Sequence, residues 1–461
     1  MLPKNNSCSA IDTETEREIE QLVGIEIFGT AELEGIGGIY KHSYTDFIVK
    51  EITENGKILA IKEDTPSRSF SPDLKDKYTT FNLVKINTDT FDAFRKIGRA
   101  LNINPEWINS SGVKDKCSIS VQKVSIAGDY VKRIEKLNIH NLFFRCITPT
   151  PKSVRMGSNW GNNFTVVLRD LDPIPDLEQR IDSILDKITT QGFPNYFGLQ
   201  RFGYYRPNTH LVGKALMQGD YEQAFHEYVV KKSPYESDRL HVMREKLQEA
   251  EDYSEVENLF PKSLHYERVL VNHLAHNPDD YKGAFMKLQQ DLISLIISAF
   301  QSYLFNKAIS RRVQKGYHLF HPYDGDVLNI LDDVNGQYTQ VLYTYGGLYD
   351  EYLDKALEMG RAILIAPIIG YGTDLEEFPL MKTIYEEVFQ EIGVGFDIFQ
   401  NYYKSELQGK GTIRPIYIIP TDLRKVNIKA DEEYPGQKKL RLEFSLPKGT
   451  YATMLLREFI K

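Results

Sequence analysis

The sequence predicts an α+β fold in which both ends of the chain contribute to one mixed, mostly antiparallel sheet. Segments with strand-like alternation occupy the N-terminal part and return after Gly411, whereas the residues between them have helical periodicity. We therefore predict a sheet-forming part at residues 1–203, a helix-rich α+β insertion at 204–405 and a second sheet-forming part at 406–461.

The N-terminal part alternates strands with amphipathic helices. Alternation in its first strand places Phe47, Val49 and Glu51 on one face, and Thr90 or Asp92 is the expected cap of its second helix. The predicted elements are, in order, a helix at 16–23, strands at 46–52 and 81–86, a helix at 91–101, strands at 119–126, 143–147 and 160–169, and a helix that begins at Asp176 and stops at Gly192.

The clearest helix of the insertion runs from Asp279 to about Val313, because apolar residues recur at helical spacing from Phe285 to Leu304. The remaining predicted elements are helices at 348–359 and 381–392, strands at 414–419 and 439–446, and a final helix capped by Thr450.

Positive charge is concentrated in one segment of an acidic chain. The formal net charge is −8, yet residues 110–170 contain ten Lys and Arg against four acids, whereas residues 231–260 contain five against eight. A basic segment inside an acidic protein indicates a local site for a polyanion, the alternative being ordinary variation of surface charge.

The three cysteines, Cys8, Cys117 and Cys146, are widely spaced and form no CxxC pair, which favours neither a zinc site nor a disulfide framework. The first residues lack the apolar core of a secretion signal, and no run of 18 apolar residues exists. We therefore expect a cytoplasmic protein without a membrane segment.

The candidate site is a Lys-Asp-Lys loop (residues 110–116), with the sequence Ser-Ser-Gly-Val-Lys-Asp-Lys, which precedes a predicted strand. The flanking Lys114 and Lys116 favour the charged form of Asp115 and would attract a polyanion. Gly112 allows a substrate or backbone to come close. The alternative for such a tripeptide is a solvated turn.

Six sequence blocks in order resemble the TruD family of pseudouridine synthases, over residues from about 35 to 461. They are Gly112 to Lys116 with Gln122, Lys41 with residues 46–52, residues 161–169, Asn-Tyr-Phe-Gly-Leu-Gln-Arg-Phe-Gly at 195–203, residues 301–306 and residues 446–453. The length and the bulky central region are similar to those of the archaeal and eukaryotic-type branch.

The resemblance implies a pseudouridine-synthase catalytic domain interrupted by a TRUD insertion domain. It also implies the reaction, in which uridine in RNA becomes pseudouridine as the base detaches at N1 and rejoins the ribose through C5. The implied substrate is tRNA, at position 13 of the D-arm, and no cofactor, metal or obligate protein partner is expected.

The resemblance places Asp115 in the catalytic role, either as a nucleophile at C1′ or as a base that first removes a sugar proton. Lys41 is its expected ion-pair partner, the alternative being an exposed surface lysine. Lys114 and Lys116 would keep the carboxylate ionised or contact phosphates.

The same resemblance assigns the remaining residues around a flipped base. Phe164 would stack on the uracil, unless it is a plain core residue, and Asn162 would shape the pocket or contact the catalytic carboxylate. The supporting residues are expected to be Glu51, Gln122, Asn195, Phe197, Gln200 and Arg201.

The sequence allows two alternatives to this function to be compared with it. A non-catalytic RNA-binding protein or RNA chaperone on the same fold would be marked by loss of the aspartate, and Asp115 is present. A metal-dependent phosphodiesterase needs clustered ligands, and His265, His273 and His276 have no carboxylate at ligand spacing.

Overall fold

The computed structural model describes residues 13–250, 252–257, 259–332, 336–400 and 409–461, with the side chain of residue 400 left aside. Its strands are β1 Phe47–Thr53, β2 Tyr78–Ile86, β3 Ile108–Ser110, β4 Ile119–Ala127, β5 Leu142–Thr150, β6 Asn159–Leu171, β7 Phe193–Pro194, β8 Val327–Leu331, β9 Tyr338–Thr344, β10 Ala362–Ile368, β11 Thr412–Pro415, β12 Tyr417–Ile418, β13 Thr421–Ala430 and β14 Lys438–Pro447.

The helices are α1 Thr13–Leu22, α2 Thr90–Leu101, α3 Val131–Glu135, α4 Leu177–Gln191, α5 Thr209–Gln218, α6 Tyr221–Phe225, α7 Asp238–Glu249, α8 His265–His276, α9 Tyr281–Met286, α10 Gln290–Gln314, α11 Asp350–Glu358, α12 Pro379–Ile392, α13 Asp397–Gln400 and α14 Ala452–Ile460. Short 3₁₀ turns and one π-helical turn at His226–Val230 connect some of them.

The larger sheet joins the two ends of the chain. Its strand order is β13-β14-β6-β1-β4-β2-β5, with β3 added to β4, and among these described strands only β1 and β4 pair in parallel. A four-stranded sheet, β11-β10-β8-β9, lies among the helices of the central region. The predicted α+β class with a mixed, mostly antiparallel sheet is confirmed.

One face of the larger sheet carries two separate apolar groups. Toward β14 and β6, strand residues such as Val166 pack with α4 and α14, while toward β5 residues such as Phe81 pack with α2 and α3. Residues of the central strands lie between these two groups on the same face. The polar gap left there is where the candidate site lies.

Several predicted details are wrong at helix ends. Asp89, rather than Thr90 or Asp92, caps α2, because its side chain accepts hydrogen bonds from the backbone N–H groups of residues 91 and 92. The predicted helix from 279 to 313 is two helices, α9 and α10, because Gln289 adopts an extended conformation between them. Thr450 does not cap α14, which begins after Tyr451 without a side-chain cap.

The strand predicted at 414–419 is also divided. Its first half, β11, pairs with β10 of the four-stranded sheet, and its second half, β12, pairs with β7. Pro415 ends β11, and a proline cannot donate to a further ladder hydrogen bond. Strand β13 was not predicted, because its side chains alternate only weakly between apolar and polar types.

Helix α10 is long and apolar enough by composition to cross a membrane, with a mean hydropathy of 1.3 in its best window. However, 67% of that window is buried inside the protein, as is typical of a core helix. Cys146 carries a free thiol. Cys8 lies outside the described residues.

Candidate active site

The Lys-Asp-Lys loop is held over the polar gap of the sheet by the buried carboxylate of Glu51 on β1. Ser111 Oγ donates to Glu51 Oε2 at 2.5 Å, and the Lys114 ammonium lies 3.1 Å from the same oxygen. The backbone N–H of Lys123 donates to Glu51 Oε1 at 3.1 Å. Glu51 therefore joins Ser111 and Lys114 of the loop to β1 and also joins β1 to β4, which agrees with a supporting role.

Two further side chains position the loop backbone. Thr90 Oγ1, at the start of α2, lies 3.2 Å from both the N–H and the carbonyl oxygen of Lys114. Gln122 on β4 donates to the carbonyl oxygen of Gly112 at 3.1 Å. One role expected for Lys114 was contact with a phosphate. The Lys114 ammonium is buried against Glu51, so it does not fit that role.

Asp115 has the most accessible carboxylate of the loop network. Its Oδ2 lies 2.9 Å from the Lys41 Nζ, and its side chain is 43% exposed. Its carbonyl oxygen accepts hydrogen bonds from Lys85 Nζ at 2.5 Å and from Ser118 Oγ at 2.7 Å. Among the described residues, no partner hydrogen-bonds Oδ1, so one carboxylate oxygen is held and the other is available.

Three ammonium groups determine the ionisation of this carboxylate. Partial burial raises the pKa of Asp115, but the charges of Lys41, Lys85 and Lys114 and the hydrogen bond from Lys41 outweigh burial and leave the pKa below its usual value. Burial lowers the pKa of Lys85 to about 8, although the nearby charge of Asp115 opposes that shift. Asp115 is therefore ionised at neutral pH.

Lys41 is positioned by the residues on both sides of it. It adopts a left-handed backbone conformation with φ of 56°. Before it, Ile39 exchanges two backbone hydrogen bonds with Arg169 at the end of β6. After it, the carboxylate of Asp46 accepts two hydrogen bonds from the Arg169 guanidinium, each 2.9 Å long. The Lys41 ammonium also lies 4.2 Å from the centre of the Phe47 ring.

Below the loop, two rows of side chains cross the sheet from β2 to β14. The strand register gives the first row as Lys85, Ser120, Val49, Phe164 and Phe444. The second row, two residues along each strand, is Leu83, Gln122, Glu51, Asn162 and Leu446. The polar gap consists of the polar members of these rows, Lys85, Ser120, Gln122, Glu51 and Asn162, whereas Leu83 belongs to one apolar group and Val49, Phe164, Phe444 and Leu446 belong to the other.

Phe164 lies in an aromatic cluster on this face. It is 7% exposed, stacks on Phe444 with ring centres 5.3 Å apart and contacts the edge of Phe47 at 5.9 Å. This packing leaves only a small part of the ring accessible to a base. The plain core role that was the alternative for Phe164 therefore accounts for most of its contacts.

The polar atoms of the two rows are incompletely paired. Ser120 Oγ, Gln122 Oε1 and Asn162 Oδ1 are buried and have no hydrogen-bond partner among the described residues. Buried polar atoms are normally paired, and these three all lie on the sheet face below the loop. Gly112 has open space beside it. Among the described atoms, apart from those of its two chain neighbours, the nearest to a Cβ added at Gly112 would be Lys114 Nζ, at 3.9 Å, which leaves space for a ligand beside the loop.

The Asn-Tyr-Phe loop (residues 195–203) is a separate, internal structure. Arg414 of β11 donates to the side-chain and backbone oxygens of Asn195 at 2.7 and 3.0 Å, and its guanidinium lies 4.0 Å from the centre of the Phe197 ring. Phe197 also exchanges two hydrogen bonds with Asn306 of α10. These contacts join the loop to the insertion helices and to the four-stranded sheet, which agrees with a supporting role.

A cavity of about 400 Å³ lies beside this loop and is bordered by Arg201, Gln301, Tyr338 and Lys448 among others. It is connected to the Lys-Asp-Lys loop by hydrogen bonds, because Lys448 Nζ donates to the Gly157 carbonyl and Gly157 N–H donates to the Ser111 carbonyl, at 2.7 and 2.8 Å. Two successive hydrogen bonds thus lead from the edge of the cavity to the loop.

The structure brings most of the predicted site residues together. Lys41, Lys114, Glu51 and Gln122 surround Asp115 and its loop, Phe164 and Asn162 lie on the sheet below, and the exposed Lys116 faces solvent. Asn195, Phe197 and Arg201 lie apart, around Arg414. No group of three or more His, Cys, Asp or Glu within the described ranges could hold a metal ion.

Sequence reasoning missed Lys85 and Arg414. Lys85 belongs to the predicted strand at 81–86, where alternation places it on the same face as Phe81 and Leu83. A lysine on the inward face of a strand is unusual and could have marked Lys85 as a functional residue. Arg414 had no such signal, because its partner Asn195 is distant in sequence.

The comparisons with known proteins agree with this arrangement. The family model described as tRNA pseudouridine synthase D (TruD) matches residues 22–459. A Methanosarcina mazei protein described as a probable tRNA pseudouridine synthase D is 33% identical over 448 residues, covering 96% of this chain and 98% of that protein. A Methanocaldococcus jannaschii protein with a matching description is 31% identical over 429 residues, covering 92% and 96%.

A solved structure extends the similarity to the fold. The crystal structure of the putative tRNA pseudouridine synthase D from Methanosarcina mazei superposes with a TM-score of 0.77 at 32% sequence identity, covering 96% of this chain and 98% of that one. Fold and site together define an enzyme of the isomerase class, a pseudouridine synthase. The chain belongs to the TruD family.

Proposed function

We propose that this enzyme converts uridine to pseudouridine in tRNA, at position 13 of the D-arm, with Asp115 as its catalytic group. The observation that carries the proposal is the Lys41–Asp115 pair, in which an ionised, half-exposed carboxylate has one oxygen held and one available. The relatives' descriptions name tRNA, and the family resemblance supports the D-arm position.

The chemistry follows from the available oxygen. The glycosidic bond from C1′ to N1 breaks, the uracil rotates, and a bond from C1′ to C5 forms while the C5 proton is lost and N1 gains one. Asp115 Oδ1 either attacks C1′ or removes a sugar proton, and both steps need an ionised carboxylate. Lys41 keeps it ionised and holds Oδ2, so that Oδ1 faces the ribose.

We place the flipped uracil over the polar rows below the loop. A base in a helix stack must leave it to reach Asp115, and it then needs hydrogen-bond partners for its polar edge. Asn162, beside Phe164, presents an unpaired amide oxygen on that face. Lys116 contacts the phosphate of the flipped nucleotide, and Lys114 acts through its charge.

The remaining assignments belong to the same proposal. Residues 204–405 form the TRUD insertion domain and grasp the RNA from the far side of the cleft, while 1–203 and 406–461 form the catalytic domain. The boundary at 405 and 406 lies outside the described residues. The enzyme acts in the cytoplasm, without a cofactor or an obligate protein partner.

The proposal is tested by mapping pseudouridine in unmodified tRNA transcripts with carbodiimide-blocked reverse transcription. We expect one stop, at uridine 13, with the wild type and with Asp186→Ala, a matched control that removes an exposed carboxylate from α4. Asp115→Ala and Asp115→Asn should give no stop.

Each departure from this pattern has a distinct meaning. A stop at another uridine would replace the D-arm assignment. Binding of tRNA without any stop would favour the non-catalytic RNA-binding protein. Undiminished modification by Asp115→Ala would show that Asp115 is not the catalytic group.

A further inference from the structure

Helix α2 presents an aromatic and basic surface to solvent beside the Lys-Asp-Lys loop. Phe91, Arg95 and Arg99 are spaced by four residues and therefore lie on one side of the helix, with the exposed Lys96 next to them. Phe91 is 57% exposed, and the exposed Trp107 follows shortly after the helix. We refer to Phe91, Arg95, Lys96, Arg99 and Trp107 as the α2 strip.

The near end of the α2 strip adjoins the proposed catalytic group. Thr90, directly before Phe91, is hydrogen-bonded to the backbone of Lys114. The hydrogen bond from Arg95 and the charges of Arg95, Lys96 and Lys116 lower the pKa of Asp92, which shows that Lys116 lies near this helix face. The strip therefore begins next to the residue that precedes Asp115.

The far end of the strip is a groove beside an indole ring. Trp107 is 59% exposed and borders a cavity of about 560 Å³ together with Arg95, Arg99 and Asn104. That volume lies within the usual range for ligand pockets, about 300 to 1,000 Å³. The chain continues from Trp107 through β3 into the Lys-Asp-Lys loop, so both ends of the strip are attached to that loop.

The charges of the strip are available to a partner. Arg95 pairs with Asp92 at the surface, and exposed pairs of this kind contribute little and are easily exchanged. Lys96 and Arg99 form no ion pair with any residue in the described ranges. Arg133 of α3, hydrogen-bonded to the carbonyl of Leu101, extends the basic surface beyond the end of α2.

We propose that the α2 strip binds the RNA strand that flanks the target uridine, with phosphates on Arg95, Lys96 and Arg99 and a base stacked on Trp107. Basic side chains interleaved with exposed aromatic rings are the usual platform for single-stranded nucleic acid. The proposal rests on the proposed function, which supplies RNA as the substrate. Residues 91 and 99 are about 12 Å apart along the helix, so the strip contacts more than one nucleotide.

The arginines are tested through the salt dependence of tRNA binding. In Arg95→Gln/Arg99→Gln, the slope of log affinity against log salt should decrease by about 1.4 to 1.8, because each lost phosphate contact removes about 0.7 to 0.9. KM should rise while kcat stays unchanged, because neither arginine contacts the reacting atoms. Arg424→Gln, an exposed arginine of β13 at the opposite edge of the larger sheet, is the matched control and should leave the slope and KM unchanged.

Trp107 is tested by substitution and by fluorescence. Trp107→Ala should weaken tRNA binding about 5- to 150-fold, the loss that one stacking contact represents, while Trp107→Phe should retain most of the affinity. The chain has two tryptophans, Trp107 and Trp160. Quenching of tryptophan emission by tRNA should therefore fall in Trp107→Phe to the part that comes from Trp160.

The outcomes separate this proposal from the proposed function. If the wild type forms no pseudouridine, the proposed function fails, and the binding measurements still test the strip. If the wild type is active but the variants keep its salt slope, KM and quenching, the strip does not bind RNA. An affinity loss in the double variant with an unchanged salt slope would also overturn the proposal, because it would indicate a structural effect.

Discussion

The Lys-Asp-Lys loop and the Asn-Tyr-Phe loop both use charged or amide side chains, but they surround them differently. In the first, the Asp115 carboxylate is half exposed and keeps one unpaired oxygen. In the second, Asn195 and Arg414 are buried, and the Arg414 guanidinium donates to both Asn195 oxygens and to the Gly449 carbonyl. The Asn195 side-chain nitrogen donates to the Pro415 carbonyl. Solvent accessibility, more than charge, therefore distinguishes a carboxylate that can react, Asp115, from a buried pair that holds the structure together, Asn195 and Arg414.

The largest expected effect is a difference in the free energy of unfolding between a substitution in the Asn-Tyr-Phe loop and one in the Lys-Asp-Lys loop. Asn195→Ala should lower the free energy of unfolding by about 3 kcal/mol, because it removes the 2.7 Å acceptor of the buried Arg414 Nη2 and the donor to the buried Pro415 carbonyl. Asp115→Asn should change it by less than about 1 kcal/mol, since its side chain is partly in solvent.

Urea unfolding of both variants at neutral pH checks this contrast, with pseudouridine formation measured well below the unfolding midpoint. Asn195→Ala should remain active there, and Asp115→Asn should be inactive. Equal destabilisation by the two substitutions would show that the two loops do not differ in the way described.

The second prediction concerns the acid side of the pH profile. Lys41→Met removes the strongest of the charges that oppose burial, so the pKa of Asp115 should rise. The acid limb of kcat/KM, which in the wild type lies below the usual aspartate pKa, should then move to higher pH. Rates on one tRNA transcript across the acid range would show the shift.

The neighbouring Lys116 supplies the control for this measurement. Lys116→Gln removes an exposed ammonium that is not bonded to Asp115, so it should weaken tRNA binding and leave the acid limb in place. If both variants shift the limb equally, Lys41 has no special relation to the carboxylate.

The third prediction concerns the pH dependence of stability at Lys85. Its pKa is lowered to about 8 by burial, while an unfolded lysine titrates near its usual value of about 10.4. Between these values the unfolded chain binds more protons, so the free energy of unfolding gains a contribution that rises with pH. Lys85→Met should lack that contribution.

The measurement is urea unfolding of the wild type and Lys85→Met at several pH values from 7 to about 10.4. The stability of the wild type relative to the variant should increase over this window. Ser118 still donates to the Asp115 carbonyl in Lys85→Met, so the loop should stay folded. If the difference in stability between the wild type and Lys85→Met does not change with pH, the pKa of Lys85 is not lowered in the folded protein.

Much of the fold could be predicted because local periodicity determines it. The strands around β1, β4 and β6 and helix α4, with Asp176 at its N-terminus and Gly192 at its C-terminal end, lie close to where alternation and capping signals place them. The grouping of Lys41 with Asp115 came from family resemblance, since 74 residues separate them.

The remainder depended on tertiary contacts that no local pattern contains. β11 leaves the expected sheet for β10, and this pairing is decided by partners far away in sequence. The sequence also does not determine where a helix begins or breaks among neighbouring residues with similar propensities, as at Asp89 before α2 and at the break before α10. Lys85 is tolerated in the interior because the Asp115 carbonyl and charge lie beside it.

The position of β14 between β13 and β6 has a consequence during translation. β6 ends at residue 171 and β14 begins at residue 438, so 267 residues emerge from the ribosome before β6 gains its second neighbour. At about 5 to 20 residues per second, that edge stays unpaired for about 13 to 53 s. The nascent protein thus exposes a strand edge that chaperones can bind while the central helices are being synthesised.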